Sequence, residues 1–247
     1  MTLMTLPQFR ESLQAVLRSA DLPALHGQMQ ALAQQLGFEH FVYALRVPEN
    51  FTQSSILMVD GYPPGWTDHY MAQAHHAHDP VIRYCSRNIL PVLWHEVPGG
   101  GPCPNARRVM GEAAEHGLRT GLSVPLHTPH GELGILSGTV SRTGRAAQAD
   151  MAQVQAHAHL LATHVHEAMR RLAPMPLQPP ALSPREQQVL RWAADGKTSW
   201  EISCLLHISE RTANFHLHTV AQKLGVFSRQ HAIARALLLG LIQPSPF

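Results

Sequence analysis

The chain has 247 residues, 45% of them hydrophobic, and a formal net charge of +2, which is typical of one large or two modest globular domains. No apolar run comes near the ~18 residues of a membrane-spanning helix, and the N-terminus lacks the basic and apolar regions of a secretion signal. The three cysteines are far apart and outside any CxxC motif, which argues against a disulfide framework or a structural zinc and predicts a reducing, cytoplasmic location.

The first two-thirds of the chain combines helical and strand patterns. The predicted elements are a helical segment at 8–38, strands at 40–47 and 54–60, a helix at 65–78 that ends at Asp79 and Pro80, a helix at 107–118, two strands within 120–141 and a closing helix at 149–172. This order predicts an α/β/α sandwich around a central, mainly antiparallel sheet, within an α+β fold class.

A proline-rich stretch then divides the chain. Residues 172–184 contain five prolines and no charged side chain, a composition that breaks helices and strands and is typical of a semi-rigid linker. We predict a domain at 1–172, a linker at 173–182 and a second domain at 183–247. From residue 175 onward Lys and Arg outnumber Asp and Glu by seven to four, against 12 to 13 elsewhere, which is the direction expected of a C-terminal nucleic-acid module.

The C-terminal segment has clear helix boundaries. Ser183 with Glu186, and Thr198 with Glu201, have the spacing of capping boxes, so each pair is expected to start a helix. Ser209 is positioned to cap a third helix, and a fourth helical pattern follows. A short helix, a three-residue connection and a longer helix predict a helix-turn-helix within an all-α four-helix bundle.

The third of these helices has two contrasting faces. Its apolar stripe, expected to face the core, comprises Ala213, Leu217, Val220 and Leu224. The opposite side mixes a guanidinium, an amide, an aromatic ring and an imidazole, contributed by Arg211, Asn214, Phe215 and His218. A merely solvated face would be rich in Glu and Lys and would not expose an aromatic ring.

These features predict a DNA-recognition helix. Asn214, Phe215 and His218 would reach base edges in the major groove, where an amide can pair with adenine and a ring can lie on a thymine methyl. The residues expected to flank the groove and anchor phosphates are Lys197, Thr198, Lys223 and Arg229. The alternative is a four-helix interaction module with a solvated face, which would show no salt-dependent binding to duplex DNA.

The segment LSPREQQVLRWAADGKTSWEISCLLHISERTANFHLHTVAQKLGV resembles the DNA-binding domain of LuxR-type transcription regulators over about 60 residues. The matching positions are Glu186, Leu190, Gly196, Lys197, Glu201, Ile202, Ser209, Thr212, His216, Lys223 and Leu224. Ala213 replaces the usual valine and Ser183 the common threonine, and neither change disturbs the core or the cap. A phosphorylated receiver domain does not fit the N-terminal segment, because no acidic pair precedes Asp60 and the α/β alternation is wrong.

The segment GYPPGWTDHYMAQAHHAHDPVIRYCSRNILPVLW closely resembles the ligand-binding region of quorum-sensing LuxR proteins, and TGLSVPLHTPHGELGILS is similar to a later pair of strands in that domain. The likeness is greatest to LasR-type members and covers most of the chain. It implies a homodimeric transcription activator that takes part in quorum sensing, binds an N-acyl-homoserine lactone and promoter DNA, acts with RNA polymerase and uses no cofactor.

The resemblance also implies roles for six side chains. Trp66 would donate its indole N–H to the lactone carbonyl, Asp79 would accept the amide N–H, and Tyr70 would donate to the amide carbonyl. Ser137 would add a second polar contact to the amide carbonyl, and Tyr62 and Trp94 would pack over the ligand as walls. On their own, Trp66 and Tyr70 would be core aromatics, and Asp79 would belong to a helix-stop turn. An Asp79 without a partner in the empty protein would be costly, so folding or dimerisation is expected to depend on ligand.

Other classes of function have less support. His75, His76 and His78 are close in sequence, but neighbouring histidines on a helix point apart and no matching second cluster is evident, so we predict no metal site. No nucleophile elbow, Gly-rich phosphate loop or zinc-protease signature is present, so no catalytic residue or enzyme activity is predicted. A LuxR-type regulator that answers a different small molecule, or none, is the alternative, although the retained ligand-contacting positions argue against a large change of ligand.

Overall fold

The computed structural model describes residues 6–97, 103–129, 131–173 and 180–244. Most of the linker predicted at 173–182 lies outside these ranges. Within them the chain divides into two compact units, an N-terminal unit that contains most of the sheet and a C-terminal unit that contains four helices. No helix of the described ranges combines the length and the apolar character that crossing a membrane requires.

The chain begins with two helices, α1 at Leu6–Leu17 and α2 at Leu22–Gln35, where the sequence indicated one helical segment. Asp21 separates them, because its carboxylate accepts a hydrogen bond from Ala24 N at 2.8 Å and caps α2. Pro23 follows in the first turn of α2, where a backbone N–H is not needed for the helical hydrogen bonds.

Five strands form one sheet. In chain order they are β1 at His40–Pro48, β2 at Ser54–Gly61, β3 at Val92–Leu93, β4 at Thr120–His127 and β5 at Leu133–Val140. Their spatial order is β2-β1-β5-β4-β3, and the pairs β1–β5, β5–β4 and β4–β3 are antiparallel. The predicted central antiparallel sheet is therefore present, with the two-residue β3 at one edge.

Short helices pack against one face of this sheet. They are α3 at Trp66–Ala72, a 3-10 turn at His75–Ala77, α4 at Pro80–Cys85 and α5 at Pro104–Glu115. The helix predicted at 65–78 is wrong in its second half, because Ala74 adopts a left-handed conformation with φ 50° and breaks it. Asp79 also does not end a helix: it caps the beginning of α4.

The long helix α6 at Arg145–Leu172 packs with α1 and α2 on the other face. Alternation along β1 and β5 directs side chains to the two faces. The Tyr43 hydroxyl and His166 Nδ1 are hydrogen-bonded at 2.6 Å and join β1 to α6. Gly134 of β5 leaves the space for this contact, since a Cβ there would lie 2.3 Å from the Tyr43 hydroxyl oxygen.

The C-terminal unit consists of α7 at Pro184–Ala194, α8 at Ser199–Leu206, α9 at Glu210–Lys223 and α10 at Arg229–Leu238. Both predicted capping boxes form, with Ser183 at the start of α7 and Thr198 at the start of α8. His207, in a left-handed conformation with φ 51°, ends α8 and turns the chain into α9. The predicted fold class, mixed α and β with a helix-turn-helix bundle, is confirmed.

Candidate functional site

A cavity of about 130 Å³ lies between the sheet and the helices α3, α4 and α5. Its walls are mostly apolar, with Val42 and Ile135 from the sheet and Val109 from α5 among them. All six side chains that the sequence singled out for ligand contact line this cavity: Tyr62, Trp66, Tyr70, Asp79, Trp94 and Ser137. A largely apolar cavity with a few fixed polar groups is the usual form of a small-molecule site.

Trp66 and Tyr70 reach the cavity from the same helix, one turn apart on α3. Their ring centroids are 5.7 Å apart in an edge-on arrangement, and Trp66 is only 3% exposed. Among the residues that the structure describes, the Trp66 indole N–H has no hydrogen-bond partner. The cavity is therefore lined by a residue with an unused donor, which an acceptor atom of a ligand would satisfy.

Asp79 is held by three hydrogen bonds. Its Oδ2 accepts from the Tyr70 hydroxyl at 2.7 Å, and its Oδ1 accepts from Val81 N at 2.7 Å and Ile82 N at 3.3 Å. The expectation that Asp79 lacks a partner in the ligand-free protein is therefore wrong. Burial nevertheless raises the pKa of the Asp79 carboxyl, because lost hydration outweighs these hydrogen bonds. Burial, reinforced by the Asp79 charge, also raises the pKa of Tyr70, which keeps its hydroxyl proton available to donate.

A chain of hydroxyl groups fixes the opposite wall. Trp94 Nε1 donates to Ser123 Oγ at 2.9 Å, and Ser123 Oγ is hydrogen-bonded to Ser137 Oγ at 2.7 Å. The two serines face each other because they are register partners in β4 and β5. Burial raises the pKa of the Tyr62 hydroxyl, with the nearby Ser137 opposing the shift. Ser123 was not predicted from the sequence, where its signal is a polar residue within the buried, mostly apolar part of a strand.

A second polar cluster joins α3, the 3-10 turn and α5. His69 Nε2 and His75 Nε2 each lie 2.7 Å from Glu112 Oε2, while Arg108 Nε donates to Glu112 Oε1 at 2.6 Å. Hydrogen bonds from Arg108 and the two histidines lower the pKa of Glu112 to about 2. The sequence did not predict this group because its members come from three separate elements, and only one of them belongs to the run of histidines.

The C-terminal unit presents the predicted outer face of α9 to solvent. The exposed residues of that face are Arg211, Asn214, Phe215 and His218, and the Phe215 residue is 63% exposed. The apolar residues Ala213 and Val220 are fully buried on the other side. Asn214 Oδ1 accepts a hydrogen bond from Ser199 Oγ at 2.6 Å, which links α9 to the first turn of α8.

Three of the four residues predicted to bind phosphate, Lys223, Arg229 and Thr198, have side-chain partners within the C-terminal unit. Lys223 Nζ donates to Glu186 Oε2 at 2.7 Å, and Arg229 donates to the carbonyl oxygen of Lys197. Lys197 and Thr198 stand at the start of α8, where the Thr198 side chain caps the helix. Lys223 and Arg229 thus already stabilise the C-terminal unit, and any contact with phosphate would compete with these hydrogen bonds.

Comparison with known proteins gives consistent matches over both units. Residues 21–169 match the family described as autoinducer binding domain, and residues 180–236 match bacterial regulatory proteins of the luxR family. The chain is 36% identical over 226 residues to the quorum sensing-dependent transcriptional regulator RpaR of Rhodopseudomonas palustris, with 90% of each chain covered. It is 32% identical over 239 residues to the transcriptional activator SolR of Ralstonia nicotianae, covering 96% of this chain and 99% of SolR.

A solved structure resembles the whole chain. Crystalline SdiA of Escherichia coli superposes with a TM-score of 0.78 and 28% identity, covering 96% of this chain and 98% of SdiA. SdiA in complex with octanoyl-rac-glycerol gives the same TM-score and identity, with 98% of each chain covered.

Proposed function

This chain belongs to the luxR family of bacterial regulatory proteins and carries an autoinducer-binding domain, and from that premise we propose that it binds an N-acyl-homoserine lactone in its cavity and promoter DNA through α9. It is a ligand-responsive transcription regulator, and its relatives are transcription regulators rather than enzymes.

The observation that carries the ligand assignment is the Tyr70–Asp79 pair beside the Trp66 indole. A secondary amide offers one N–H and one carbonyl, and the pair offers one acceptor and one donor 2.7 Å apart. Asp79 takes the amide N–H while the Tyr70 hydroxyl turns to the amide carbonyl. The unused Trp66 N–H then donates to the lactone carbonyl, and the apolar walls surround the acyl chain.

The opposite wall completes the site. Ser137 supplies a second hydroxyl toward the amide carbonyl, and its bond to Ser123 orients that hydroxyl. Tyr62 and Trp94 pack over the ligand, with the Trp94 ring held in place by its hydrogen bond to Ser123. Rigid supports of this kind reduce the free energy that binding would spend on ordering side chains.

For DNA, α9 is the recognition helix of the helix-turn-helix. Asn214, Phe215 and His218 contact base edges, with Arg211 beside them on the exposed face. Lys197 and Thr198, at the start of α8, contact phosphates, and Lys223 and Arg229 support the helices while adding positive charge. The match to a DNA-binding family over 180–236 disfavours the alternative of a non-DNA interaction module.

The remaining parts of the proposal concern assembly. The functional domains are 1–172 and 183–247, joined by the linker at 173–182. Two copies associate so that their recognition helices reach successive major grooves of a palindromic site, as helix-turn-helix dimers do. The bound dimer then acts on transcription together with RNA polymerase.

The test is the melting temperature of the full chain with a panel of N-acyl-homoserine lactones of increasing chain length. We expect a rise that depends on chain length, since binding to the folded state adds about 2.7 kcal/mol of stability at a ligand concentration of 100 Kd. Trp66→Phe removes the indole N–H donor and part of the ring area. We expect the lactone to raise the melting temperature of this variant less than that of the wild type.

Octanoyl-rac-glycerol belongs in the same panel, because a structure of SdiA in complex with it has been solved. A rise with this compound and none with any lactone would contradict the lactone assignment and favour the regulator of a different small molecule. No rise with any compound, from a folded protein that binds duplex DNA, would contradict ligand binding in the cavity altogether.

A further inference from the structure

The cluster of His69, His75 and Glu112 lies outside the set of side chains that the lactone requires. The candidate donor atoms of the three residues all fall within 4.8 Å of one another. Both imidazole Nε2 atoms point at the same carboxylate oxygen, Glu112 Oε2, at 2.7 Å. A simple ion pair needs one base and one acid. Here two imidazoles, from two different elements, converge on one carboxylate oxygen from a third.

The surrounding side chains hold these groups in place. The His75 side chain is only 4% exposed and that of Glu112 is 21% exposed. Arg108 occupies Glu112 Oε1 and so leaves Oε2 to the histidines. The His116 ring stacks on His69 with centroids 5.8 Å apart and planes at 24°, and its Nδ1 is hydrogen-bonded to the Glu112 carbonyl oxygen.

Two imidazole nitrogens and one carboxylate oxygen form a ligand set that suits Zn²⁺, which accepts N and O ligands and often leaves a fourth position to water. Mg²⁺ and Ca²⁺ would prefer oxygen ligands throughout. In a tetrahedral site with bonds of about 2.0–2.1 Å, neighbouring ligand atoms stand roughly 3.3 Å apart. Each nitrogen therefore has to move away from Oε2 by about half an ångström, and the two nitrogens, which lie within 4.8 Å of each other, have to reach the same spacing. Side-chain rotations provide these movements.

We propose that His69, His75 and Glu112 form a binding site for Zn²⁺, contrary to the expectation from the sequence that the chain has no metal site. Each histidine binds as a neutral imidazole through Nε2, with its proton on Nδ1, and any second proton is released to solvent. The ion replaces the two hydrogen bonds to Glu112 and ties α3 and the 3-10 turn to α5. Arg108, on the other carboxylate oxygen, orients Glu112 from the outer shell.

The site lies on the helices that form the cavity wall. Trp66 and Tyr70 belong to α3, and Val109 and Met110 belong to α5. The Trp66 ring centroid is 6.0 Å from that of His69 and 6.2 Å from that of His75. An ion between α3 and α5 holds this wall in one arrangement. The effect of the ion on ligand binding rests on the proposed lactone site. The proposal that the cluster binds Zn²⁺ is independent of it.

The test is a calorimetric titration of the metal-free, lactone-free full chain with Zn²⁺. We expect one tight site per chain. Glu112→Gln removes the negative charge of one ligand, and His69→Gln removes an imidazole nitrogen. Each should weaken that site by about 100-fold or more, beyond the 10- to 100-fold typical of losing an outer-shell partner. His78→Gln, which removes an exposed histidine from the same segment, is the matched control and should leave the affinity unchanged.

Co²⁺ serves as a spectroscopic probe of the same site. A tetrahedral site gives intense visible absorption bands, which should appear with one equivalent of Co²⁺ and disappear in His69→Gln. The His69 side chain is partly exposed, so this variant decides the question even if Glu112→Gln loses helix content by circular dichroism. Equal affinity in the wild type and in His69→Gln, or an equal loss in His78→Gln, would overturn the proposal. Failure of the lactone panel would leave this result unaffected.

Discussion

In the proposed site, single oxygen and nitrogen atoms would decide which ligand the cavity accepts. Asp79 Oδ1 is occupied by two backbone N–H groups, so Oδ2, which now accepts from Tyr70, is the atom that remains for a ligand. The Trp66 indole N–H, which has no hydrogen-bond partner within the described ranges, is the complementary donor. Because a cavity of this polarity recognises a ligand through very few hydrogen bonds, each is expected to contribute strongly to affinity.

Asp79→Asn is expected to separate ligand binding from folding. Asparagine caps helices as well as aspartate does, so α4 should persist, while an N–H₂ group replaces the acceptor for the ligand. We expect lactone affinity to fall by roughly 30- to 150-fold, about 2–3 kcal/mol for an unpaired polar group. The melting temperature of the lactone-free protein should stay the same or rise, since burial disfavours the Asp79 charge.

The measurement is lactone titration by calorimetry together with thermal denaturation. Tyr70→Phe should weaken lactone binding less than Asp79→Asn does, because it removes one donor and introduces no repulsion. Tyr84→Phe on α4 is the matched control, since Tyr84 does not line the cavity. An unchanged lactone affinity in Asp79→Asn would contradict the assigned role of this residue.

The sequence was a sufficient guide to the cavity-lining residues that local spacing connects. Trp66 and Tyr70 are one helical turn apart, and Asp79 follows nine positions later, so a motif could identify all three. Ser123 and Glu112 act through partners that the fold brings close from distant parts of the chain, and no local pattern marks such contacts. The partners of Asp79 in the ligand-free protein, by contrast, are close in sequence. They were missed because the helix predicted through residue 78 concealed the cap that Asp79 forms on α4.

At the scale of secondary structure, Gly121 of β4 leaves room for the Trp94 ring, which forms part of the cavity wall. A Cβ added at Gly121 would lie 2.5 Å from the Trp94 ring, closer than carbon atoms can pack. Trp94 also donates to Ser123, so its ring cannot shift without losing that hydrogen bond. Glycine is therefore required at this position because of a close approach rather than an unusual backbone angle.

Gly121→Ala should destabilise the protein by about 1–3 kcal/mol, the usual cost of overpacking a core, and should weaken lactone binding at the same time. Gly111→Ala in α5 is the matched control: its Cβ meets no atom within 4 Å, and alanine should stabilise the helix by about 0.5–1 kcal/mol. Urea unfolding and lactone titration measure both effects. A Gly121→Ala protein with wild-type stability and affinity would refute the account of this wall.

In the C-terminal unit, Glu186 links the start of α7 to the end of α9 through Lys223. Burial raises the pKa of Glu186, but hydrogen bonds from Lys223 and Ser183 outweigh it and lower the pKa below its ordinary 4.5. A carboxyl with a depressed pKa stabilises the folded state above its ordinary pKa. That contribution is lost as the pH falls from 4.5 through the folded-state value.

Glu186→Gln should therefore destabilise the protein at pH 7 by about 1–2 kcal/mol, a value reduced by the 36% exposure of the Lys223 side chain. The glutamine preserves the capping box, so only the charge is lost. Urea unfolding at several pH values should show the difference from wild type shrinking below pH 4.5. Glu210→Gln, at an exposed position, should change stability by only a few tenths of a kcal/mol. A difference that is constant with pH would contradict the ion pair.

Helix and strand patterns along the sequence located the main elements but not all of their breaks. The strands β1, β2, β4 and β5 and the four C-terminal helices lie where predicted, because periodicity and capping residues both mark them. The break at Ala74 has no such signal, since alanine is a good helix former and yet adopts a left-handed conformation here. Asp21 did carry a capping signal, which the apolar pattern around it concealed.

At the scale of the whole molecule, a lactone-responsive regulator needs ligand and DNA to influence each other through one chain. Coupling between two sites is reciprocal, so a lactone that changes duplex affinity must have its own affinity changed by the duplex to the same extent. Typical couplings of 1–3 kcal/mol correspond to about 5- to 150-fold changes in affinity. If lactone raises duplex affinity, the ligand promotes DNA binding. If lactone lowers duplex affinity, the ligand releases the regulator from DNA.

The most direct test is the affinity of the full chain for a duplex selected from a random pool, measured by fluorescence anisotropy with and without a saturating lactone. We predict that log affinity falls linearly with log salt and that lactone changes the affinity at least about fivefold. At a lactone concentration just sufficient to saturate the wild type, Asp79→Asn should lose most of this response while keeping the salt dependence. Salt-dependent duplex binding that is identical with and without lactone would contradict the central claim that this chain is a lactone-responsive regulator.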